Sequence, residues 1–425
     1  MRLAQVIQVV VVPILGSWLG CNAIIGLELG EPEEIGAIGS AGASASSQNT
    51  SGPGTSSGGA GSGSGGAGPG SGGAGGGVTE SWWNPSWERR VHLTFDNAAS
   101  PEPLLGFAVL VKLDAMRFDY ASSPAGADLR FVDADGTTLI PYEIERWDVS
   151  GESSVWVRVP QIDAGSIVDS IWLYYGNAAP PAQNPGEVWS DTYAGVYHLS
   201  DNPFLGTIRD STGAHDGVPQ GSMNAADQVA GIAGGAIDFD GLDDYIALGT
   251  GNHVSAFDVE PGMERTVEAW LRTSGGGDRP VIAQEASCSG WSLMMLDDGT
   301  LQGRLFLDQN GFCPATHVYT PESPAAAYDD DQWHHVALVL DRPAATMRLH
   351  IDGARVTTEE SIDNVVSGIG NYDRIGSNYT GMQGFKGVLD EVRISTVARS
   401  DAWIAAQYAS MRDMFVSYGM TEQAP

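Results

Sequence analysis

Basic residues are scarce in this sequence. Its 425 residues include 21 Lys and Arg against 53 Asp and Glu, which gives a formal net charge of −32 at pH 7. Such a surface repels the phosphates of nucleic acids and the headgroups of anionic lipids, which argues against both as partners. The carboxylates suit solubility outside the cell and are available to Ca²⁺, although solvated surface acids explain most of them more simply.

Long apolar runs are missing as well. Residues Val6 to Ile14 are apolar apart from Gln8 and follow the positively charged Arg2. This run is too short for a dependable transmembrane helix, but it has the length of a signal-peptide core. We therefore predict a signal peptide over residues 1–20.

The end of this segment resembles the bacterial lipobox. It reads Trp18-Leu19-Gly20-Cys21, with tryptophan where the family prefers leucine and leucine where it prefers a small residue. The resemblance implies that Cys21 is lipidated and becomes the mature N-terminus. By analogy with enteric bacteria, Asn22 rather than aspartate after it favours the outer membrane or cell surface. The alternative is an ordinary secretory signal with an incidental cysteine.

Cysteines are few. If Cys21 carries lipid, Cys288 and Cys313 remain as one pair, which suits an oxidising compartment. They flank two short apolar runs separated by a turn, so a hairpin would bring them together and we predict a disulfide. No CxxC motif or His/Cys cluster suggests zinc.

Helical periodicity is nearly absent, and strand signals dominate. Val155, Val157 and Val159 alternate with Trp156 and Arg158, a period of two that is typical of a half-buried strand. The best helix candidate is residues 400–410, with an aspartate in its first turn. The sequence therefore predicts an all-β fold of two β-sandwich domains.

A Gly/Ser-rich stretch divides the chain. Residues 39–77 are almost wholly Gly, Ser, Ala, Thr and Pro and cannot bury a core, so they predict a flexible, disordered tether. Proline and glycine near residues 180–189 predict a short connector between two domains. The predicted organisation is a signal peptide at 1–20, a tether at 21–79, a first sandwich at 80–189 and a second at 190–425.

The first sandwich resembles a bacterial domain of unknown function that often precedes laminin-G-like jellyrolls. The resemblance rests on Trp83-x3-Trp87-x-x-Arg90, Asp128-Leu129-Arg130-Phe131, Pro141-x-Glu143-Ile144-Glu145-x-Trp147, Trp156 to Pro160 and Leu173 to Asn177. It implies no activity.

The second sandwich resembles the laminin-G-like, concanavalin-A-like jellyroll. The matching segments run in order from Gly235 to Ile246, Val267 to Leu271, Trp333 to Ala337, Leu349 to Gly353 and Gly384 to Ile394. Within them Asp352-Gly353 favours a type I′ hairpin turn, because both residues tolerate positive φ angles.

Catalytic motifs are absent from the segment predicted to fold: residues 80–425 contain no HExxH, GxSxG or P-loop. Glycoside hydrolases of this fold class need two carboxylates facing one cleft, usually from an E-x-D-x-E-like run, and this run is missing. Glu268 stands alone, and the adjacent Asp390 and Glu391 would point to opposite faces of a regular strand. We name no catalytic residue.

Two kinds of residue are candidates for binding. Jellyrolls of this superfamily often hold one structural Ca²⁺ between an early loop and a late strand, and the resemblance makes Asp240 and Asp390 the candidate ligands; turn-forming aspartates without metal are the alternative. Aromatic side chains stack on sugar rings, and four stand in or near predicted loops: Trp291, Tyr319, Tyr372 and Tyr379.

The sequence thus favours a lipid-anchored, non-catalytic protein at the cell surface. Its partner would be carbohydrate or another extracellular polymer, or another protein of the surface. It meets the membrane only through its anchor. Two alternatives stay open: a glycoside hydrolase or polysaccharide lyase of the concanavalin-A-like class, and a structural envelope protein that binds a protein partner.

Overall fold

The structure is a computed structural model. It describes residues 81–182, 188–189, 192–249, 253–275, 277–286, 289–307, 317–325, 327–381 and 383–425. The predicted signal peptide, the lipidation site Cys21, the tether and the Cys288–Cys313 disulfide lie outside these residues. Within them, the structure contains no helix that is both long and apolar enough to cross a membrane.

The first sandwich consists of a six-stranded and a three-stranded antiparallel sheet. The six-stranded sheet has the order β24-β1-β7-β3-β4, with β25 also paired to β1, and the three-stranded sheet has the order β2-β6-β5. Its strands are β1 (Arg89–Phe95), β2 (Leu104–Leu113), β3 (Arg130–Asp133), β4 (Leu139–Ile140), β5 (Tyr142–Arg146), β6 (Ser153–Ile162), β7 (Ser170–Tyr175), β24 (Val416–Tyr418) and β25 (Glu422–Gln423).

The alternation that predicted β6 is confirmed. Val155, Val157 and Val159 lie in the core of the first sandwich, whereas Trp156 points the other way into a second apolar cluster. Successive side chains of a strand face opposite sides of the sheet, so one strand supplies two buried faces.

The second sandwich is a jellyroll of two larger antiparallel sheets. The nine-stranded sheet has the order β10-β11-β23-β13-β18-β19-β20, with β8 on β23 and β21 on β19. Its strands are β8 (Tyr193–Tyr197), β10 (Gln228–Ala230), β11 (Gly235–Asp240), β13 (Glu264–Arg272), β18 (His334–Asp341), β19 (Thr346–Ile351), β20 (Ala354–Arg355), β21 (Glu360–Ser361) and β23 (Lys386–Ser395).

The seven-stranded sheet packs on the other side of the jellyroll core. Its order is β17-β16-β15-β14-β22-β12-β9. The strands are β9 (Gly217–Gln220), β12 (Tyr245–Leu248), β14 (Arg279–Glu285), β15 (Gly290–Met295), β16 (Leu301–Leu307), β17 (His317–Tyr319) and β22 (Tyr372–Ile375). The fold class predicted from the sequence is confirmed.

The predicted hairpin turn after β19 is also confirmed. Asp352 and Gly353 have φ angles of 50° and 77°, and Ile351 pairs with Ala354. Two consecutive positive φ angles are the signature of a type I′ turn, whose twist matches that of the flanking strands.

The predicted helix is α1 (Asp401–Met411). The side chain of Ser400 accepts a hydrogen bond from the backbone N–H of Trp403, and Asp401 stands in the first turn, where its charge complements the helix dipole. The helix ends at Met411, and the chain continues into β24.

The C-terminal segment returns to the first sandwich. The jellyroll core takes no residue after Ile394, whereas Trp403, Ala406, Phe415 and Val416 lie in the core of the first sandwich. The first sandwich is therefore completed by the last residues of the chain, and all described residues belong to one compact unit.

A buried carboxyl group in the jellyroll makes its stability depend on pH. Asp373 on β22 accepts a hydrogen bond from the N–H of Val254 and lies 3.6 Å from Nδ1 of His253, which also lies 3.8 Å from Asp258. Burial raises the pKa of Asp373 to about 8. The folded state thus binds this proton more tightly than the unfolded chain, so the contribution of Asp373 to stability falls as the pH rises from about 4 to about 8.

Asp373→Asn is expected to remove this pH dependence. We expect the free energy of unfolding of the variant to fall less than that of the wild type between pH 5 and pH 8.5, by on the order of 2–4 kcal/mol. Urea denaturation at the two pH values measures this difference. Asp331→Asn is the matched control, since that side chain is 73% exposed. Parallel pH profiles for the wild type and Asp373→Asn would contradict the assignment.

Candidate functional site

The two sandwiches meet through a buried junction. The outer face of the three-stranded sheet supplies Ala108, Leu110 and Trp156, and the nine-stranded sheet supplies Val196 and Trp270 to the same apolar cluster. The N–H of Leu110 also donates to Oγ of Ser410 on α1. Charged side chains line one side of this junction.

A β-bulge in β23 brings two acidic residues to the junction. Leu389 and Val392 both face the jellyroll core although three positions separate them, and Glu391 has a φ of 50°. The pairing with β13 shifts register at the same place. One extra residue is accommodated there, so Asp390 and Glu391 both lie on the face opposite the core. The expectation that they point to opposite faces is wrong because the strand is not regular.

Glu143 and Glu145 reach the junction from the first sandwich. They stand two positions apart on β5, whose pairing with β6 shifts register between Ile144 and Arg146, and both side chains lie on the side that faces His198. His198, the residue after β8, meets them from the jellyroll: its Nε2 lies 3.6 Å from Oε2 of Glu143, and its Nδ1 lies 3.8 Å from Oε2 of Glu145.

Glu391 completes the cluster. Its Oε1 lies 2.8 Å from Nδ1 of His198, and its Oε2 accepts a hydrogen bond of 2.6 Å from Arg393. The side chains of Glu145 and Glu391 are 2% and 0% exposed, and that of His198 is 8% exposed. We refer to Glu143, Glu145, His198 and Glu391 as the junction cluster.

The environment shifts the pKa values of the cluster in different directions. Burial would lower the pKa of His198, but the charges of Glu391 and Glu145 outweigh it and raise that pKa well above 6.5. Burial would raise the pKa of Glu391, but His198 and Arg393 lower it to about 2. Burial and the charge of Glu391 together raise the pKa of Glu145 to about 7.

Hydrogen bonds hold the two glutamates of β5 in place. Glu145 accepts from Oγ of Ser200 at 2.7 Å and from Nε1 of Trp156 at 2.9 Å. Glu143 accepts from Nε1 of Trp189 and from Oγ of Ser211. These donors come from both sandwiches, so the cluster links the two domains.

Arg393 is buried beneath the cluster. Its guanidinium carbon lies 4.2 Å from the ring centroid of Trp156 and 4.8 Å from that of Trp189. Asp390 is also buried, and its Oδ2 accepts hydrogen bonds from the backbone N–H groups of Ile232 and Ala233.

A glycine permits the close approach of the loop after β10. Gly234 has a φ of 60°, and a Cβ atom at this position would overlap Oε1 of Glu145. The loop also receives hydrogen bonds from the first sandwich: Lys112 donates to the carbonyl of Ile232, and Arg146 donates to that of Gly234.

The junction cluster opens into a polar cavity of about 210 Å³. Its walls include Glu143, Glu145 and His198, with Ser200, Asp201 and Arg209 nearer to solvent. The arrangement can hold a cation or a small polar ligand. Sequence analysis missed this site; the Glu143-x-Glu145 spacing on a strand was the one available signal.

The structure separates the two predicted calcium ligands. Asp240 is exposed and pairs with Lys386, four positions before Asp390 on β23, which is about 13 Å along a strand. The two aspartates do not share one site. Asp240 instead lies beside Asp243 and Asp244, whose carboxylate oxygens are within 4.8 Å of one another.

The four predicted ligand-binding aromatic residues lie in different surroundings. Trp291 is 1% exposed, and its Nε1 donates to the carbonyl of Phe257, so it is a core residue. Tyr319 is half-buried, with its hydroxyl accepting from the N–H of Asp363. Tyr372 is 37% exposed, and Tyr379 is half-buried in the loop after β22.

Tyr372 lies on the outer face of the seven-stranded sheet. Ile246, Ile282 and Ile375 face the core, so their neighbours face outward. One row across this face contains, in register, Ala247, Arg374, Ala283, Ser292 and Arg304. The guanidinium of Arg374 lies 4.5 Å from the ring centroid of Tyr245 and 5.0 Å from that of Tyr372. We call the outward side chains of this sheet the outer face: Tyr245, Ala247, Ala283, Ser292, Arg304, Tyr372 and Arg374.

Two family models match the chain. The model of the concanavalin A-like lectin/glucanases superfamily (Laminin_G_3) matches residues 240–405, and that of a domain of unknown function (DUF2341) matches residues 125–202. No curated protein matches the sequence significantly.

Solved structures resemble about half of the chain. The binding domain of Paraclostridial Mosquitocidal Protein 1 has 16% identity and a TM-score of 0.38, covering 50% of this chain and 53% of that chain. The receptor binding domain of botulinum neurotoxin D has 16% identity and a TM-score of 0.39, covering 51% and 52%. The serotype D ligand binding domain in complex with N-acetylneuraminic acid has 15% identity and a TM-score of 0.39, covering 51% and 50%.

This chain thus spans about half the length of those structures. Residues 240–405 are similar to the concanavalin A-like superfamily and form most of the observed jellyroll, and a segment similar to a domain of unknown function precedes them.

Proposed function

We propose that this protein is a non-catalytic binding protein, held at the outer membrane or cell surface by lipid on Cys21. Its jellyroll recognises carbohydrate or another extracellular polymer. The observation that carries the proposal is the outer face, where two tyrosines flank an arginine on a broad sheet.

The arrangement of the domains supports this choice of surface. The nine-stranded sheet is packed against the first sandwich through Val196 and Trp270 and against α1 through Ala337 and Val339. The side of the nine-stranded sheet that faces away from the jellyroll core is therefore occupied by contacts within the chain. The seven-stranded sheet is the other large surface of the jellyroll.

The chemistry of the outer face suits a sugar. Tyr372 offers a partly exposed ring to the apolar side of a pyranose, and Arg304 and Gln302 are half-buried groups that can donate hydrogen bonds to hydroxyls. Ala247, Ala283, Ser292 and Arg374 in the middle of the row are buried, so the accessible part of this face lies at Tyr245, Tyr372 and Arg304.

The anchor is supported by sequence alone. An apolar core ends in Leu19-Gly20-Cys21, and a Gly/Ser-rich tether follows. Such a tether would let the folded unit reach ligands away from the membrane.

Tyr372→Ala is expected to weaken binding. A screen of the purified protein on a glycan array and on soluble polysaccharides, with Ca²⁺ and with EDTA, identifies the ligand and shows whether its binding depends on a divalent metal ion. We expect Tyr372→Ala to raise the Kd for that ligand about tenfold, equivalent to about 1.4 kcal/mol, measured by calorimetry. Phe204→Ala is the control, since Phe204 is 71% exposed outside the outer face. Equal Kd values for the wild type and Tyr372→Ala would contradict the assignment of the outer face.

The geometry of the junction cluster argues against hydrolysis there. A glycosidase places two carboxyl groups on either side of the scissile bond. Here the imidazole of His198 stands between Glu145 and Glu391, 3.8 Å from one and 2.8 Å from the other. The imidazole thus occupies the space that a glycosidic bond would need.

A further inference from the structure

We propose that Glu145, His198 and Glu391 bind a divalent transition-metal ion such as zinc. The site would lie at the junction of the two sandwiches and open into the polar cavity. It is distinct from the outer face and from the acidic residues around Asp240.

The spacing of the donor atoms fits a small metal ion. Zinc binds nitrogen and carboxylate oxygen at about 2.0–2.2 Å, so ligand atoms of a tetrahedral site are about 3.3 Å apart. Nδ1 of His198 lies 2.8 Å from Oε1 of Glu391 and 3.8 Å from Oε2 of Glu145, which brackets this value. One ligand atom from each of the three residues lies within 4.8 Å of the other two.

The second ring nitrogen of His198, Nε2, lies near the carboxylate of Glu143. Nε2 is buried and makes no hydrogen bond among the described residues, but Oε2 of Glu143 lies 3.6 Å from it. In metal sites the free ring N–H commonly donates to a carboxylate, which fixes the tautomer and makes the ligating nitrogen more basic. Trp189 and Ser211 hold Glu143 in position for this role.

The two carboxylate ligands are also oriented by hydrogen bonds. Ser200 and Trp156 donate to Glu145, and Arg393 donates to Oε2 of Glu391, which leaves Oε1 of Glu391 directed at His198. Preorganised ligands of this kind lose little freedom when a metal binds.

The charges at the junction favour a cation. Among the described residues, four carboxyl groups lie here, those of Glu143, Glu145, Asp390 and Glu391, and two basic side chains contact them, Arg393 and His198; carboxylates are therefore in excess when all four are ionised. Asp390 is 0% exposed, and its Oδ1 has no hydrogen-bond partner in the described part of the chain. Burial of uncompensated negative charge is costly, and a divalent ion would reduce the excess.

The donor set favours zinc over calcium. Calcium takes six to eight oxygen ligands, whereas this cluster offers one imidazole nitrogen and two carboxylates. Among divalent ions of the first transition row, such sites bind zinc more tightly than manganese or iron. The cavity leaves room for water or a small ligand at a fourth position.

Metal titration of the chelator-treated full-length protein tests this proposal. Calorimetry with Zn²⁺ is expected to show one ion per chain, and Co²⁺ is expected to give the intense visible spectrum of a tetrahedral site. Glu145→Gln, which preserves shape, is expected to raise the Kd for Zn²⁺ at least 100-fold, and Glu143→Gln 10- to 100-fold, as for other residues that orient a metal ligand. Asp240→Asn is the control and should leave the Kd unchanged.

Three results would overturn the proposal: no stoichiometric Zn²⁺ binding, Zn²⁺ binding that survives Glu145→Gln, or Zn²⁺ binding that Asp240→Asn abolishes. Circular dichroism of each variant separates loss of metal from loss of fold. The Co²⁺ spectrum of the unmodified protein stands independently of every variant.

Discussion

Replacement of Arg393 by alanine is expected to destabilise the protein by about 3–5 kcal/mol, because the buried carboxylate of Glu391 loses its guanidinium partner and keeps only His198. The side chain of Arg393 is 1% exposed and that of Glu391 is 0% exposed, so water cannot compensate for the lost charge. The change also removes the guanidinium that packs on Trp156 and Trp189. Because these contacts cross the junction, the coupling between the two sandwiches should weaken.

Urea denaturation followed by tryptophan fluorescence measures this effect. The wild type should unfold in one transition, and Arg393→Ala should unfold at lower urea, with the sandwiches separating into two transitions. Arg209→Ala is the control: its ion pair with Asp201 is on the surface, with Arg209 76% exposed, so a loss of at most about 1 kcal/mol is expected. A similar small loss for Arg393→Ala would show that the buried pair does not join the domains.

Truncation after Arg399 is expected to unfold the first sandwich and spare the jellyroll. It removes Trp403, Phe415 and Val416 from the first core, and strand β24 from its sheet. Full burial of each large apolar side chain contributes about 1.5–3 kcal/mol, so the sum approaches the whole stability of an ordinary domain. The jellyroll core keeps all its residues, because the last of them is Ile394.

Limited proteolysis with mass spectrometry distinguishes the two sandwiches in this variant. Cleavage should fall in strands β1 to β7, while strands β8 to β23 stay protected. Truncation after Tyr418 is the milder comparison, since it keeps α1 and β24 and removes the pairing of β25 with β1 together with the ion pair of Glu422 and Arg90. Equal protection of both sandwiches after truncation at Arg399 would contradict the assignment of the C-terminal segment to the first core.

Local features of the fold could be predicted because neighbouring residues determine them. The alternation in β6, the Asp352-Gly353 turn and the capped helix each depend on a few adjacent residues, and the structure confirms them. The family resemblance supplied the jellyroll, which the sheet order confirms.

Long-range features could not be predicted from local pattern. The bulge at Glu391 interrupts the alternation of inward and outward side chains along β23. It is visible only in the register of β23 against β13. Trp291 follows a glycine and was assigned to a loop, but its partners in the core are distant in sequence. The junction cluster combines β5, the end of β8 and β23, so sequence alone gave no reason to bring them together.

Assays of binding and of bond cleavage on the same polysaccharide test the central proposal most directly. The purified protein is incubated with each polymer that it retains on the array, and both the bound fraction and the newly formed reducing or unsaturated ends are measured over time. We expect saturable binding, weakened by Tyr372→Ala, with no new ends above the background of the protein-free control. New ends that increase in proportion to protein concentration would contradict the account and identify an enzyme.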